Sequence, residues 1–290
     1  MDGSRSTLRT EIKRVGIVGC GLMGSGYTQL CAHHGYQVVV CEVNNGLLKN
    51  GLAMIDSRLA GNVTEGQLPE QDKDAILARI KGTTSLKDFS DCDLVIEAAT
   101  EKMEVKKEIF TELDRICPEG IVLGTNTSVL SVLDIAMATS RPGQVVGIHM
   151  NPLAFPIAEL VRTLVTSDEA IEIAKKFSES VGKLAFVAKD VPGFVVNRLI
   201  TPLMMNAIRM MEANIASKEE IDKVFKALGW PMGPLATADM IGLDTLLLGT
   251  TAMYEESKEA KFAPPVLLKK MVAASWLGCK TGKGFYDYYK

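Results

Sequence analysis

Three glycines, Gly19, Gly21 and Gly24, stand as G-x-G-x-x-G in the stretch VGIVGCGLMGSG. An apolar run precedes them and a helical pattern follows, the context in which this spacing carries chemistry. The first glycine permits a tight turn. The second lets backbone approach a pyrophosphate, and the third lets a helix pack closely on a strand. The free N–H groups and positive dipole end of that helix then face the phosphates. Glu42 ends the next apolar run, eighteen residues beyond Gly24. A carboxylate there accepts hydrogen bonds from an adenosine ribose and repels a 2′-phosphate, so the pattern points to NAD over NADP.

A second group centres on one histidine. His33 and His34 fall near the end of the first predicted helix and read as surface residues, whereas His149 ends the apolar run VVGIH. Ligands of open α/β sheets bind at the carboxyl ends of strands, which puts His149 where a proton carrier is useful. The alternative is a satisfied core histidine. Between His149 and Ser167 the one acid is Glu159, inside PIAELV. A carboxylate buried in such a run needs a partner. It either orients the imidazole, or pairs with Arg162, or reaches solvent.

The elements that must position these groups follow from periodicity. Strands are predicted at 14–18, 37–41, 93–96, 121–123, 145–149 and 184–187, with helices at 22–34, 72–81, 103–116 and 168–179. Strands alternating with helices imply right-handed βαβ units and a largely parallel sheet. DVPGF, at 190–194, is a turn signal, and helical spacing dominates beyond it: 195–214, 218–228, 235–257 and 265–275. The expected fold class is therefore α/β, a Rossmann-type doubly wound sheet followed by an all-helical C-terminal domain, with domains at 1–189 and 190–290. Met204, Met205, Met210 and Met211 read as core or subunit-interface packing.

Composition narrows the function classes. With 47% hydrophobic and 23% charged residues over 290 positions, the chain is globular. A net charge of −3 and no dense Lys/Arg run argue against a nucleic-acid partner. No apolar stretch has the length of a membrane span. The polar start, MDGSRSTLRTEIKR, lacks the apolar core of a secretion signal and points to a cytoplasmic protein. Six scattered cysteines without a C-x-x-C pair fit a reducing compartment and no metal site.

The chain resembles the 3-hydroxyacyl-CoA dehydrogenase family, in particular its 3-hydroxybutyryl-CoA members. The resemblance runs through VGIVGCGLMGSG, DLVIEAATEKMEVKKEIF, GTNTSVL, GIHMNP, KDVPGFVVNRL, GWPMGPLATADMIGLD and KTGKGFYDY, in that order. It implies NAD-dependent oxidation of a 3-hydroxyacyl thioester to the 3-oxoacyl thioester, or the reverse, by a homodimer whose helical domain binds substrate. It implies His149 as general base and Glu159 as its orienting acid. Ser128 and Asn197 would hold the substrate oxygen, and Asn151, which matches the asparagine of the family's Asn-Pro pair, would also bind substrate. Glu101, Lys106 and Lys280 match cofactor-contacting positions; without the family they would read as solvated charges.

Two features depart from the family pattern. Met150 alone separates His149 from Asn151-Pro152, where two residues are usual, and Glu159 follows the histidine by ten positions instead of twelve. The segment 60–68, AGNVTEGQL, also lacks the lysines of the CoA-binding members and leaves Arg58 as the main phosphate ligand. That opens an alternative in which an acyl carrier protein presents the thioester. Further alternatives are a gulonate- or carnitine-type dehydrogenase of a free hydroxy acid and a non-catalytic, crystallin-like dinucleotide-binding protein.

Overall fold

Short apolar runs flanked by turn residues become strands buried on both faces. In the computed structural model, which describes residues 8–153 and 155–289, the first elements are β1 (Arg14–Val18), α1 (Leu22–His33), β2 (Gln37–Cys41), α2 (Asn45–Thr64), α3 (Glu70–Leu77) and β3 (Ile80–Thr83). They are followed by β4 (Leu94–Glu97), α4 (Met103–Ile116), β5 (Val122–Thr125), α5 (Val132–Ala136), β6 (Val145–His149), β7 (Ile157–Arg162), α6 (Asp168–Ser180) and β8 (Leu184–Lys189). One sheet takes the order β3-β2-β1-β4-β5-β6-β7-β8. Every neighbouring pair is parallel except β6 with β7. From β1 the chain winds outward to β3 and returns on the other side of β1 at β4. The order therefore reverses between β1 and β4, and the glycine loop stands at that crevice.

Val15, Ile17, Val38, Val40, Leu94 and Ile96 form the centre of one buried cluster, joined by Cys31 of α1 and Phe177 of α6. Each such side chain contributes about 1.5–3 kcal/mol on burial.

Several elements differ from the periodicity reading, among them the short α5. The helix expected over 72–81 is α3 (Glu70–Leu77), and the residues after it turn into β3, whose Lys81 and Gly82 are exposed at the sheet edge. An edge strand of four residues has no apolar run to announce it. α2 has no counterpart in the reading because only Gly51, Ile55 and Leu59 of its twenty residues are buried, too narrow a stripe to stand out. β7 is the run PIAELV, whose strand character is masked by Glu159. The helix expected over 235–257 is two, broken at Gly242, whose φ of 97° lies in the left-handed region that glycine alone enters freely.

The chain divides into two compact units after Asp190. The second comprises α7 (Val196–Glu212), α8 (Lys218–Ala227), α9 (Pro234–Ile241), α10 (Leu243–Ser257) and α11 (Val266–Ala273). Its core includes Met204, Met205, Ile208, Leu235, Leu246 and Phe285, with Met210 and Met211 packed at its margin. Asp239, fully buried, accepts the N–H groups of Phe285 and Tyr286 at 2.9 Å and so ties the last described residues to α9. No helix among the described residues is long and apolar enough to cross a membrane.

Candidate active site

The turn from β1 into α1 is built from its glycines. Gly19 has a φ of 92°, and a Cβ there would stand 2.8 Å from the Ala98 carbonyl oxygen. A Cβ on Gly24 would overlap the Gly19 carbonyl, so the helix can approach the loop this closely only with glycine at 24. Gly21 caps α1 without a side-chain hydrogen bond, no acid occupies the first turn, and nothing lies within 4 Å of where its Cβ would be. The N-terminus of α1 thus has no side-chain cap and has room beside Gly21, as an anionic phosphate requires. Glu42 follows β2 directly. Its carboxylate accepts the Cys20 N–H at 2.7 Å and the Val43 N–H at 3.0 Å, which fixes it beside the glycine loop. A pyrophosphate with an adenosine ribose fits these residues.

Around the crevice beyond β4 and β5 lies a buried ionic network. Lys106, 1% exposed and carried by α4, places Nζ 2.7 Å from Glu97 Oε1 and 3.3 Å from Glu101 Oε2. Glu97, fully buried at the end of β4, also accepts the Thr125 hydroxyl and the Ala99 N–H, each at 2.7 Å. Glu101 accepts the Thr127 hydroxyl at 2.6 Å and the Ser128 N–H at 2.9 Å. Ser128 thus sits on a loop held by a carboxylate that is itself held by Lys106. The ammonium of Lys106 is enclosed by acids and is not part of a solvated helix face.

His149 ends β6, and the β6–β7 register pairs it directly with Glu159. The ring Nδ1 lies 2.6 Å from Glu159 Oε2, with the histidine side chain 18% exposed and the acid 1%. A carboxylate only accepts, so the ring donates to it through Nδ1. Arg162 pairs instead with Asp168, at 2.5 Å. The shortened loop leaves the dyad intact because cross-strand pairing, not loop length, sets it. Asn151 lies just beyond, its Oδ1 accepting the Leu153 N–H at 3.1 Å.

Asn197 and Lys280 belong to the second unit. Asn197 is half-buried in the first turn of α7, and Lys280 Nζ reaches Asp244 Oδ1 at 2.5 Å. In the first unit, Arg58 donates to Ser25 Oγ at 2.6 Å and Gln29 Oε1 at 3.2 Å. The residues that the sequence reading passed over are Glu97, Tyr27, Asn126 and Lys183. Tyr27 and Asn126 flank the backbone of His149, and Lys183 donates to the carbonyls of Pro152 and Phe155 at 3.0 and 2.7 Å.

Residues 14–191 match the family description "3-hydroxyacyl-CoA dehydrogenase, NAD binding domain", and residues 193–288 match "3-hydroxyacyl-CoA dehydrogenase, C-terminal domain". The 3-hydroxybutyryl-CoA dehydrogenase of Mycobacterium tuberculosis is 45% identical over 282 residues, covering 96% of this chain and 99% of that protein. Hydroxyacyl-coenzyme A dehydrogenase of Sus scrofa mitochondria is 35% identical over 294 residues, covering 98% and 93%. The crystal structure of (S)-3-hydroxybutyryl-CoA dehydrogenase PaaH1 from Ralstonia eutropha superposes with a TM-score of 0.89 at 41% identity, covering 97% of this chain and all of that one. With a glycine loop for a dinucleotide, a histidine–carboxylate pair at a strand end and these matches running through both of its units, the chain belongs to the 3-hydroxyacyl-CoA dehydrogenase family.

Proposed function

We propose that His149 carries the proton in the NAD-dependent oxidation of a 3-hydroxyacyl-CoA to the 3-oxoacyl-CoA, and in the reverse reduction. The observation that supports this most strongly is the 2.6 Å contact between His149 Nδ1 and a buried Glu159 at the carboxyl end of β6. Nε2 accepts the proton of the substrate's 3-hydroxyl, and Glu159 compensates the charge the ring then carries. In reverse, Nε2 returns the proton to the 3-oxygen. NAD supplies the hydride acceptor when bound. Gly19, Gly21, Gly24 and Glu42 would hold its pyrophosphate and ribose, and Glu101 would contact it, with Lys106 acting through Glu101. Lys280 contributes from the helical domain. Ser128 and Asn197 orient the 3-oxygen, and Asn151 shapes the loop beside it.

We read CoA as the carrier and a short acyl group as the substrate, as in the relatives' names. The basic-free segment 60–68 favours a second reading, an acyl carrier protein, because a phosphopantetheine arm brings no adenosine phosphates. We further read the chain as a cytoplasmic homodimer formed through its helical domain, where Leu199, Ile215 and Leu228 are each at least two-thirds exposed. NADH absorbance over 3-hydroxybutyryl-CoA, the same acyl group on a carrier protein, and free 3-hydroxybutyrate separates these readings. The expected order is CoA thioester first, with kcat/KM at least about 100-fold above the free acid, because remote contacts to the carrier are spent on the transition state. Equal turnover of the free acid, or preference for the carrier protein, would overturn the CoA assignment.

A further inference from the structure

The β5–β6 ladder ends where Thr125 pairs with Gly147, two residues before His149. Beyond that point β6 is paired only with β7, and its other side is held by different groups. Tyr27 of α1, with no exposed surface, brings its hydroxyl 2.7 Å from the Ile148 carbonyl oxygen and 2.6 Å from Asn126 Oδ1. The same Oδ1 accepts the Met150 N–H at 3.2 Å. That N–H fixes which way the Asn126 amide points, since the amide nitrogen could only oppose it. The single phenolic proton then faces these two acceptors and, more distantly, the Met150 carbonyl oxygen at 3.5 Å. Burial pushes the phenol well above its ordinary pKa, so Tyr27 stays a donor throughout the working range.

We propose that Tyr27 is a positioning residue for the reaction: with Asn126 it grips the backbone immediately before and immediately after His149, and so sets where the imidazole stands. The inference rests on His149 as the proton carrier. One further contact shows that α1 is the platform for this segment, and a second, from Lys183 ahead of β8, holds the same loop. A Cβ on Gly26 would stand 2.7 Å from Pro152 Cγ, so the loop after His149 lies directly on the helix. Lys183, 9% exposed, clasps the same loop through Pro152 and Phe155. With Met150 alone between His149 and Asn151, the loop has little length with which to absorb an error. The helix that offers its N-terminus to the cofactor thereby also places the base, and one rigid element registers both.

Tyr27→Phe removes the hydroxyl and keeps the ring. With NAD and 3-hydroxybutyryl-CoA, kcat is expected to fall about 10- to 100-fold, the scale of a displacement near 1 Å. KM for NAD should stay within about twofold. The primary deuterium isotope effect on kcat, read with substrate deuterated at C3, should rise as chemistry becomes slower than release. A packing role alone would lower Tm and leave the isotope effect where it was. Unchanged kcat and isotope effect in folded Tyr27→Phe overturn the proposal. Should that variant fail to fold, Asn126→Ser cuts the relay with Tyr27 intact, and the same rise supports the proposal or its absence overturns it. If His149→Gln turns over normally, the base assignment falls and Tyr27 with it; if His149→Gln is inactive and Tyr27→Phe is normal, only the Tyr27 assignment falls.

Discussion

His149→Gln is expected to lower kcat by about 10²- to 10⁴-fold, the usual contribution of a positioned acid–base group. Glutamine keeps a polar group of similar reach and can still donate a hydrogen bond to Glu159, so the buried acid keeps a partner and the fold should hold. It cannot take up a proton near neutral pH. Affinity for NAD should be unchanged, because Gly19, Gly21, Gly24 and Glu42 belong to the β1–α1 turn, the start of α1 and the residue after β2, and not to β6. Steady-state kinetics with a parallel NAD titration check both halves. Turnover within about threefold of the parent in a variant that binds NAD would reassign the base, since that ratio is under 1 kcal/mol of barrier.

Lys106→Met is expected to have the largest effect on stability. Methionine matches the length of the side chain and removes its charge. Glu97, with no exposed surface, is then left without its ammonium partner at 2.7 Å. Removing one member of a buried pair costs about 3–5 kcal/mol, a large part of the roughly 5–15 kcal/mol that holds a typical domain folded. In thermal unfolding this corresponds to a fall in Tm of roughly 6–20 °C. The double variant Glu97→Gln/Lys106→Met should recover much of the loss, since a neutral pair has no stranded charge. A single variant that melts with the parent would mean that Glu97 finds another source of compensation.

The parts of the fold with strong periodicity were legible from residues alone. The central strands β1, β2 and β6 are continuous apolar runs, and α4 carries a clear amphipathic stripe of which Phe110 and Leu113 are buried. β3 and α2 were not legible, because an edge strand and a thinly buried helix have little apolar pattern to show. Within the site, the glycine loop and Glu42 were readable because their spacing is local. The contact between His149 and Glu159 was not decidable from spacing, since it depends on an antiparallel register that sequence distance does not reveal. Glu97 could have been found by the argument applied to Glu159: an acid closing the buried run LVIE demands a partner. Tyr27 had no such signal. One turn beyond Gly24 it reads as a core aromatic, and its hydroxyl matters only because chain 99 to 123 residues away folds back onto it.

The most direct test is a crystal structure of the ternary complex with NADH and 3-oxobutyryl-CoA. The expected result is His149 Nε2 within about 2.6–3.2 Å of the 3-oxygen, with Nδ1 still on Glu159. An imidazole turned away from that oxygen, or separated from Glu159, would contradict the proton-carrier assignment even with the dinucleotide seated on the glycine loop.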